Sequence, residues 1–166
     1  GKVVEPNAFR AEILAAYERA LVKKRGHVLV DSSKSPERAE ILGKDSSVDA
    51  VLIHLVRDGR AVTWSYLRKY HRLFPFFFIW ALSNLKIEVL RLRWPGKYCL
   101  VRYENLVAHP KRELTRLCAV LGIEYEPSIL DFRSRIHHEI GGNRMRLTQE
   151  RSIRSDDAWH TEMPRG

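Results

Sequence analysis

An arginine and a serine eight positions apart form the most distinctive pairing of functional side chains in this 166-residue sequence. Arg57 directly follows an apolar run, and Gly59 precedes a helical pattern that contains Ser65. At 1.5 Å per residue, Ser65 lies roughly 9 Å along a helix axis from Gly59. A guanidinium at a strand end, free N–H groups at a helix N-terminus and a hydroxyl two turns later suit a phosphate or sulfate group. The same residues also fit a plain strand-to-helix turn, with Arg57 and Asp58 paired at the surface.

The positive charge of the chain is concentrated in two segments. The sequence has 29 Lys and Arg residues against 20 Asp and Glu residues, a net charge of +9. Residues 57–72 contain five basic residues and one acidic residue, and residues 132–154 contain six arginines and two glutamates. Such local patches predict an anionic partner, either a nucleic acid or a small phosphorylated or sulfated ligand. Because basic and aromatic residues do not alternate as they do in RNA-binding surfaces, we consider nucleic acid an unlikely partner.

Strands and helices alternate along the predicted chain, and this alternation positions the charged groups. Each short apolar run is followed by a polar turn and then by a helical pattern. The nearly continuous apolar run at 50–56 indicates a strand buried on both faces. The predicted elements are, in chain order, a helix at 6–25, a strand at 27–30, a helix from Pro36, a strand at 50–56, helices through Trp64 and at 75–93, a strand at 98–103 and a helix at 114–121.

This alternation predicts an α/β fold of three layers, with a parallel sheet flanked by helices. In such sheets ligands bind outside the carboxyl ends of the strands, which here are residues 31–34, 57–60 and 102–104. From residue 132 onward the helical periodicity fades. We therefore interpret residues 1–166 as a single domain whose residues 132–166 form a basic, mostly irregular segment.

The sequence contains no recognisable metal site or membrane segment. Cys99 and Cys118 lie in apolar stretches without the spacing of metal ligands, which predicts two reduced, buried thiols. The most apolar run, at 73–82, is too short to cross a bilayer.

Several segments resemble, in the same order, sulfotransferases that use 3′-phosphoadenosine 5′-phosphosulfate (PAPS). IHLVRDGRAVTWS at 53–65 resembles the 3′-phosphate-binding signature of that family, in which an arginine precedes a serine by eight residues. VLVDSSKSP at 28–36 is similar to the strand and loop before the signature in one broad branch, and VRYENLV at 101–107 resembles the family's RYEDL strand. GNRMR at 142–146 and DDAW at 156–159 resemble its basic C-terminal loop.

The resemblance implies a P-loop nucleotide-kinase-like fold and in-line transfer of a sulfuryl group from PAPS to a hydroxyl or amine. Arg57 and Ser65 are then ligands of the 3′-phosphate, Tyr103 contacts the adenosine, and Arg144 and Arg146 contact phosphate. Fixed positive groups stabilise the charge that spreads over the transferred group in the transition state. The implied partners are PAPS, its product 3′-phosphoadenosine 5′-phosphate (PAP) and an acceptor that the sequence does not identify.

Lys34 is the candidate catalytic residue. At the end of a predicted strand, its ammonium is placed to neutralise charge on the bridging oxygen or on the transferred sulfuryl group. The same loop, residues 31–36, also suits a helix N-cap with a solvated lysine. His54 lies within a strand and is expected to be a hydrogen-bonded core residue, so no general base is assigned.

One departure from the family pattern concerns the phosphate loop. The Gly-rich turn that holds the 5′-phosphosulfate in the family is missing, so we expect a chain truncated at its N-terminus. Whether these 166 residues are active by themselves is left open. Two alternatives remain: a catalytically inactive nucleotide-binding or assembly domain, and a basic nucleic-acid-binding module. We expect the chain in the cytoplasm, with the Golgi lumen as the alternative if a signal anchor precedes it.

The aromatic run at 74–80 has three interpretations. At helical spacing Phe76, Phe77 and Trp80 are typical of a core. The run also suits an apolar acceptor pocket or lid, or a surface through which the protein forms oligomers.

Overall fold

Two parallel strands with helices on both faces form the centre of the computed structural model, which describes residues 6–24, 28–71, 75–131, 153 and 155–163. Val51 lies opposite Lys97 in the sheet, and Val56 lies opposite Arg102. The elements are, in chain order, α1 (Pro6–Lys24), α2 (Pro36–Gly43), β1 (Val51–Val56), α3 (Gly59–Tyr70), α4 (Phe76–Arg93), β2 (Lys97–Arg102), α5 (Tyr103–Ala108), α6 (Pro110–Leu121), a 3-10 helix (Pro127–Leu130) and α7 (Ala158–Glu162).

Helix boundaries follow local chemistry in the sequence. The side chain of Asp58 accepts a hydrogen bond from the backbone N–H of Arg60 and caps the start of α3. Pro110 occupies the first turn of α6, where a missing N–H costs nothing. Gly122 ends α6 in the left-handed conformation, with φ of 71°, and its N–H donates to the carbonyl of Ala119. Helix α6 ends at Leu121 as predicted, whereas it begins at Pro110, four residues before the predicted start at 114.

Helices pack on both faces of the sheet, α4 against β1 on one face and α6 against β2 on the other, which confirms the predicted α/β arrangement of a parallel sheet flanked by helices. On one face the imidazole of His54 in β1 is hydrogen-bonded to Asn84 of α4 over 2.9 Å. On the other face the guanidinium of Arg116 in α6 lies 3.2 Å from the sulfur of Cys99 in β2. Cys99 and Cys118 are both buried and unpaired, as predicted.

The strand predicted at 27–30 is not part of the sheet. His27 lies outside the described residues, and residues 28–30 have no strand conformation. Val28 is 54% exposed and Val30 is 78% exposed. A strand requires a hydrogen-bonded neighbour, and β1 and β2 pair with each other rather than with this segment. The apolar composition of the segment therefore predicted a strand that the described contacts do not form.

The prediction that β1 is buried on both faces was also wrong. His54 and Leu52 are buried on the face that α4 covers, whereas Leu55 on the opposite face is 57% exposed. On that face helix α6 packs against β2. The face of β1 that carries Ile53 and Leu55 is therefore open to solvent in the described chain.

Only part of the aromatic run behaves as core. Phe76 stacks on Tyr66 of α3 with ring centroids 4.5 Å apart, and Trp80 is half-buried. Phe77 is 47% exposed, so the core interpretation fails for this residue. Five of the exposed apolar side chains of α4 recur at spacings of four and three residues, the pattern of a helix stripe: Phe78, Leu82, Leu85, Val89 and Leu92. No helix in the described part of the chain is long and apolar enough to cross a membrane.

Candidate functional site

The site lies where the carboxyl ends of β1 and β2 meet. Because Val56 is paired with Arg102 in parallel register, the residues that follow the two strands emerge side by side. These are Arg57 on one strand and Tyr103 on the other. The Arg57 guanidinium carbon lies 4.5 Å from the centroid of the Tyr103 ring, a cation–π distance. The sheet thus brings together two of the residues that the sequence analysis singled out.

Arg57 is already bound to a carboxylate. Its Nη2 donates to the carboxylate oxygen Oδ2 of Asp156 over 3.1 Å and to the backbone oxygen of Asp156 over 3.0 Å. Its Nε is buried and has no hydrogen-bond partner among the described residues. The guanidinium therefore holds an anion with one nitrogen and has a second donor unused.

The Asp58 side chain binds a backbone N–H group at the N-terminus of α3. The sequence had predicted that these N–H groups are free to bind an anion. Oδ1 of Asp58 accepts from the N–H of Arg60 over 2.8 Å, and its Oδ2 pairs with the Arg60 guanidinium over 2.7 Å. The hydrogen bonds from Arg60 hold the pKa of the Asp58 carboxyl below its usual range. Since this side chain already satisfies a helix N–H group, the anion-binding capacity of the turn depends more on Arg57 than on the helix N-terminus.

Trp80 of α4 holds the turn between β1 and α3 in place. Its indole N–H donates to the carbonyl oxygen of Arg57 over 3.1 Å. A Cβ added to Gly59 would lie 2.9 Å from the Trp80 ring. The packing of Trp80 therefore requires a glycine at position 59.

Glu104 ties the two strand ends together. Its Oε1 accepts a hydrogen bond from the backbone N–H of Asp58 over 2.8 Å. The sequence analysis did not single out Glu104. Its position two residues after β2, at an edge where ligands bind in parallel sheets, is the signal that points to it.

A short C-terminal segment lies across α3. Residues 155–163 contain α7, whose Trp159 ring lies 4.4 Å from the guanidinium carbon of Arg60. The carboxylate of Glu162 accepts from the indole N–H of Trp64 over 3.2 Å and from Arg68 over 3.4 Å. These contacts place acidic side chains over the basic face of α3.

Ser65 lies in α3, half-buried and two turns from its start. Its hydroxyl makes no hydrogen bond to another described residue. Arg57 thus lies in the turn before α3, and Ser65 lies within that helix.

Lys34 is exposed and adopts a left-handed backbone conformation, with φ of 62°. It stands just before Ser35, whose hydroxyl caps α2 by accepting from the N–H of Arg38 over 3.1 Å. A positive φ costs a residue other than glycine about 1–2 kcal/mol, and such strain is typical of functional positions.

His54 forms a core network, as expected for a strand residue. Its imidazole is 7% exposed, with Nδ1 at 3.0 Å from the hydroxyl of Tyr98 and Nε2 at 2.9 Å from Asn84. The Tyr98 hydroxyl donates to Glu88, and burial together with that carboxylate raises the pKa of Tyr98 to about 12. These partners hold His54 within the network between β1 and α4.

Two predicted ligands lie outside the described residues, namely Arg144 and Arg146. Among the residues that the structure does describe, no group of three or more His, Cys, Asp or Glu side chains has the arrangement of a metal site.

A model of the sulfotransferase family matches residues 6–127, which is most of the chain. The chain belongs to the sulfotransferase family. The matched residues include Lys34, Arg57, Ser65 and Tyr103, whereas Asp156 lies beyond them.

Two curated sulfotransferases are similar to this chain. Carbohydrate sulfotransferase 1 of Danio rerio is 25% identical over 145 residues, covering 73% of this chain and 34% of that protein. Carbohydrate sulfotransferase 1 of Rattus norvegicus is 24% identical over 131 residues, covering 64% of this chain and 32% of that protein. The chain thus spans about a third of the length of these relatives.

Two solved sulfotransferase domains share the fold. The domain from the curacin biosynthetic pathway aligns with a TM-score of 0.69 and 23% identity, over 92% of this chain and 62% of that one. The domain from the Synechococcus PCC 7002 olefin synthase aligns with a TM-score of 0.68 and 22% identity, over 98% of this chain and 66% of that one. These likenesses confirm the predicted α/β sulfotransferase fold.

Proposed function

We propose that this chain binds the 3′-phosphate of PAPS within an enzyme that transfers the sulfuryl group to a hydroxyl or amine. In this proposal Arg57 and Ser65 bind the 3′-phosphate, and Tyr103 contacts the adenosine. Arg144 and Arg146 contribute further phosphate contacts. The proposal rests on the sulfotransferase family membership of the chain and on the anion-binding geometry of Arg57.

The contact between Arg57 and Asp156 is the observation that carries the proposal. The guanidinium carbon lies 4.5 Å from the centroid of the Tyr103 ring and the group donates to a carboxylate, so its position already suits an anionic group. Its buried Nε has a spare hydrogen, and a phosphate offers more acceptor oxygens than a carboxylate does. A phosphate in this place offers an acceptor to the Arg57 donor that the described residues leave unpaired.

Lys34 is proposed to act in the transfer itself. The acceptor oxygen or nitrogen attacks sulfur in line, the bond from sulfur to the bridging oxygen breaks, and PAP leaves. The acceptor proton passes to a general base. An ammonium near the bridging oxygen stabilises the charge that develops there. The strained backbone of Lys34 supports a role beyond that of a loop residue.

We further propose that the protein acts in the cytoplasm. Its two cysteines are both buried and unpaired, a state that is usual in reducing compartments. Fractionation of cells that make the protein tests this placement, and recovery in the Golgi lumen would contradict it.

Isothermal titration of the chain with PAP and with adenosine 5′-monophosphate tests the proposed ligand. The monophosphate lacks the 3′-phosphate. Because charged hydrogen bonds contribute about 1.5–3 kcal/mol each, we expect PAP to bind at least about tenfold more tightly. Arg57→Gln should abolish this difference. The matched control is Arg112→Gln, which makes the same charge change at an exposed arginine paired with Glu113.

Equal affinity for the two nucleotides, or a difference that survives Arg57→Gln, would contradict the proposal. Binding that falls steeply with salt and does not distinguish the nucleotides would favour the nucleic-acid-binding alternative instead.

A further inference from the structure

Two arginines converge on one carboxylate at the end of β1. Asp156 Oδ2 lies 3.1 Å from Nη2 of Arg57, and Asp156 Oδ1 lies 3.9 Å from Nη2 of Arg68. The carboxylate thus lies between two guanidinium groups from different elements. Two forked cations around one group of oxygens form an arrangement that also suits a phosphate.

Arg68 stands on the part of α3 that leads away from this turn. It lies three residues after Ser65, so the two side chains are neighbours on one helix face. The Arg68 side chain is 45% exposed and also pairs with Glu162 over 3.4 Å. It is therefore free to adjust toward an anion that Arg57 and Ser65 hold.

Residues 155–163 contact α3 through ion pairs and hydrogen bonds that a ligand can replace. Glu162 is half exposed, and its contacts with Trp64 and Arg68 lie at the surface, where ion pairs contribute little. Asp156 itself brings a single negative charge, whereas a phosphate monoester carries nearly two at neutral pH. Asp156 leaves the buried Nε of Arg57 without a partner among the described residues, so a larger anion that displaces Asp156 has a further donor to satisfy.

We propose that Arg68 is a further ligand of the phosphate bound by Arg57, and that Asp156 is an internal anion which this phosphate displaces. The proposal deepens the proposed function and depends on it for the identity of the ligand, the 3′-phosphate of PAP. In this arrangement Arg68 binds the 3′-phosphate, and the Asp156 carboxylate competes with that phosphate for the Arg57 guanidinium.

Titration of four proteins with PAP, adenosine 5′-monophosphate and inorganic phosphate tests this inference. The proteins are the unaltered chain, Arg68→Gln, Asp156→Asn and Asp157→Asn. The last is the matched control, because Asp157 is the neighbouring carboxylate and is hydrogen-bonded to Ser155 rather than to an arginine. Thermal unfolding of each variant checks that the fold is retained.

Arg68→Gln should weaken PAP binding roughly tenfold, the loss expected for one charged hydrogen bond. Asp156→Asn should tighten the binding of PAP and of inorganic phosphate about threefold to tenfold, since a competing charge is removed while the side chain keeps its shape. Asp157→Asn should leave both affinities within about twofold, and no variant should change the affinity for the monophosphate by more than that.

The outcomes separate the two proposals. If PAP binds through Arg57 but Arg68→Gln and Asp156→Asn leave its affinity unchanged, the inference is wrong and the proposed function stands. If PAP binds no better than the monophosphate, the proposed function fails. The affinities of the variants for inorganic phosphate then test the inference about Arg68 and Asp156. Stronger phosphate binding by Asp156→Asn with weaker binding by Arg68→Gln supports the inference. Unchanged phosphate binding in both variants overturns it.

Discussion

The indole N–H of Trp80 donates to the carbonyl oxygen of Arg57, so a residue of α4 holds the backbone of the turn that presents the anion-binding guanidinium. The same ring packs against Gly59. One side chain thus fixes both the strand end and the first residue of α3. The position of Arg57 depends on this contact as well as on the sheet.

Trp80→Phe should weaken PAP binding about threefold to tenfold, because a net hydrogen bond of about 1 kcal/mol no longer holds the Arg57 carbonyl. The phenylalanine keeps most of the packing on Gly59. The matched control is Trp94→Phe, which removes an indole hydrogen bond of 3.0 Å to the carbonyl of Lys97, away from the turn. Titration with PAP measures both, and an equal loss in the control would argue against a positioning role for Trp80.

Gly59→Ala should destabilise the protein by about 1–3 kcal/mol, because the added Cβ meets the Trp80 ring at 2.9 Å in a packed turn. Urea unfolding measures the change. Gly122→Ala serves as a comparison, since its Cβ meets nothing within 4 Å and its cost comes from a φ of 71°. In a protein that already carries Trp80→Ala, Gly59→Ala should lower the free energy of unfolding much less, because the clashing ring is gone. If Gly59→Ala destabilises that protein as much as it destabilises the unaltered one, Trp80 is not the source of the clash.

Asp58→Ala should lower the free energy of unfolding by about 1 kcal/mol at pH 7, the usual effect of losing an N-cap. The pKa of Asp58 is lowered in the folded protein, chiefly by Arg60. Its contribution is therefore complete above the unfolded-state pKa of about 3.9 and is lost as the pH falls through the folded-state value. Denaturant unfolding across pH should show the two proteins converging in acid, whereas Asp58→Asn should keep most of the cap. A difference that stays constant down to acid pH would refute this account.

Lys34→Gly should raise the free energy of unfolding by up to about 1 kcal/mol, because glycine adopts positive φ without strain. PAP affinity should fall, because the bridging oxygen that Lys34 is proposed to neutralise stays with PAP as part of its 5′-phosphate. His71→Gly is the matched comparison, because His71 ends α3 with φ of 55°. In an assay of the proposed sulfuryl transfer, with a protein that includes this chain, release of PAP from PAPS should fall for Lys34→Gly and not for His71→Gly. Full activity of the Lys34 variant would exclude its catalytic role.

Local signals in the sequence predicted the parts of the fold that local chemistry determines. Asp58 and Gly122 mark helix ends because their own side chain or backbone freedom makes the cap. The apolar run at 50–56, followed by polar residues and a helical pattern, predicted the strand-to-helix turn that carries Arg57. These features require only neighbours in the chain.

Contacts between distant residues account for what the sequence did not predict. Trp80 reaches Arg57 across 23 positions, Glu104 reaches Asp58 across 46, and Asp156 reaches Arg57 across 99. The periodicity of a segment carries no information about such partners. The failed strand at 28–30 has the same origin, because β-strand formation depends on a neighbour that composition does not reveal.

A crystal structure of the chain with PAP tests the central claim most directly. We predict the 3′-phosphate within hydrogen-bond distance of the Arg57 guanidinium and the Ser65 hydroxyl, with the adenosine near Tyr103 and the Asp156 carboxylate displaced from Arg57. A nucleotide bound elsewhere, or one bound at the turn while Asp156 keeps its contact with Arg57 and the 3′-phosphate points to solvent, would contradict the assignment.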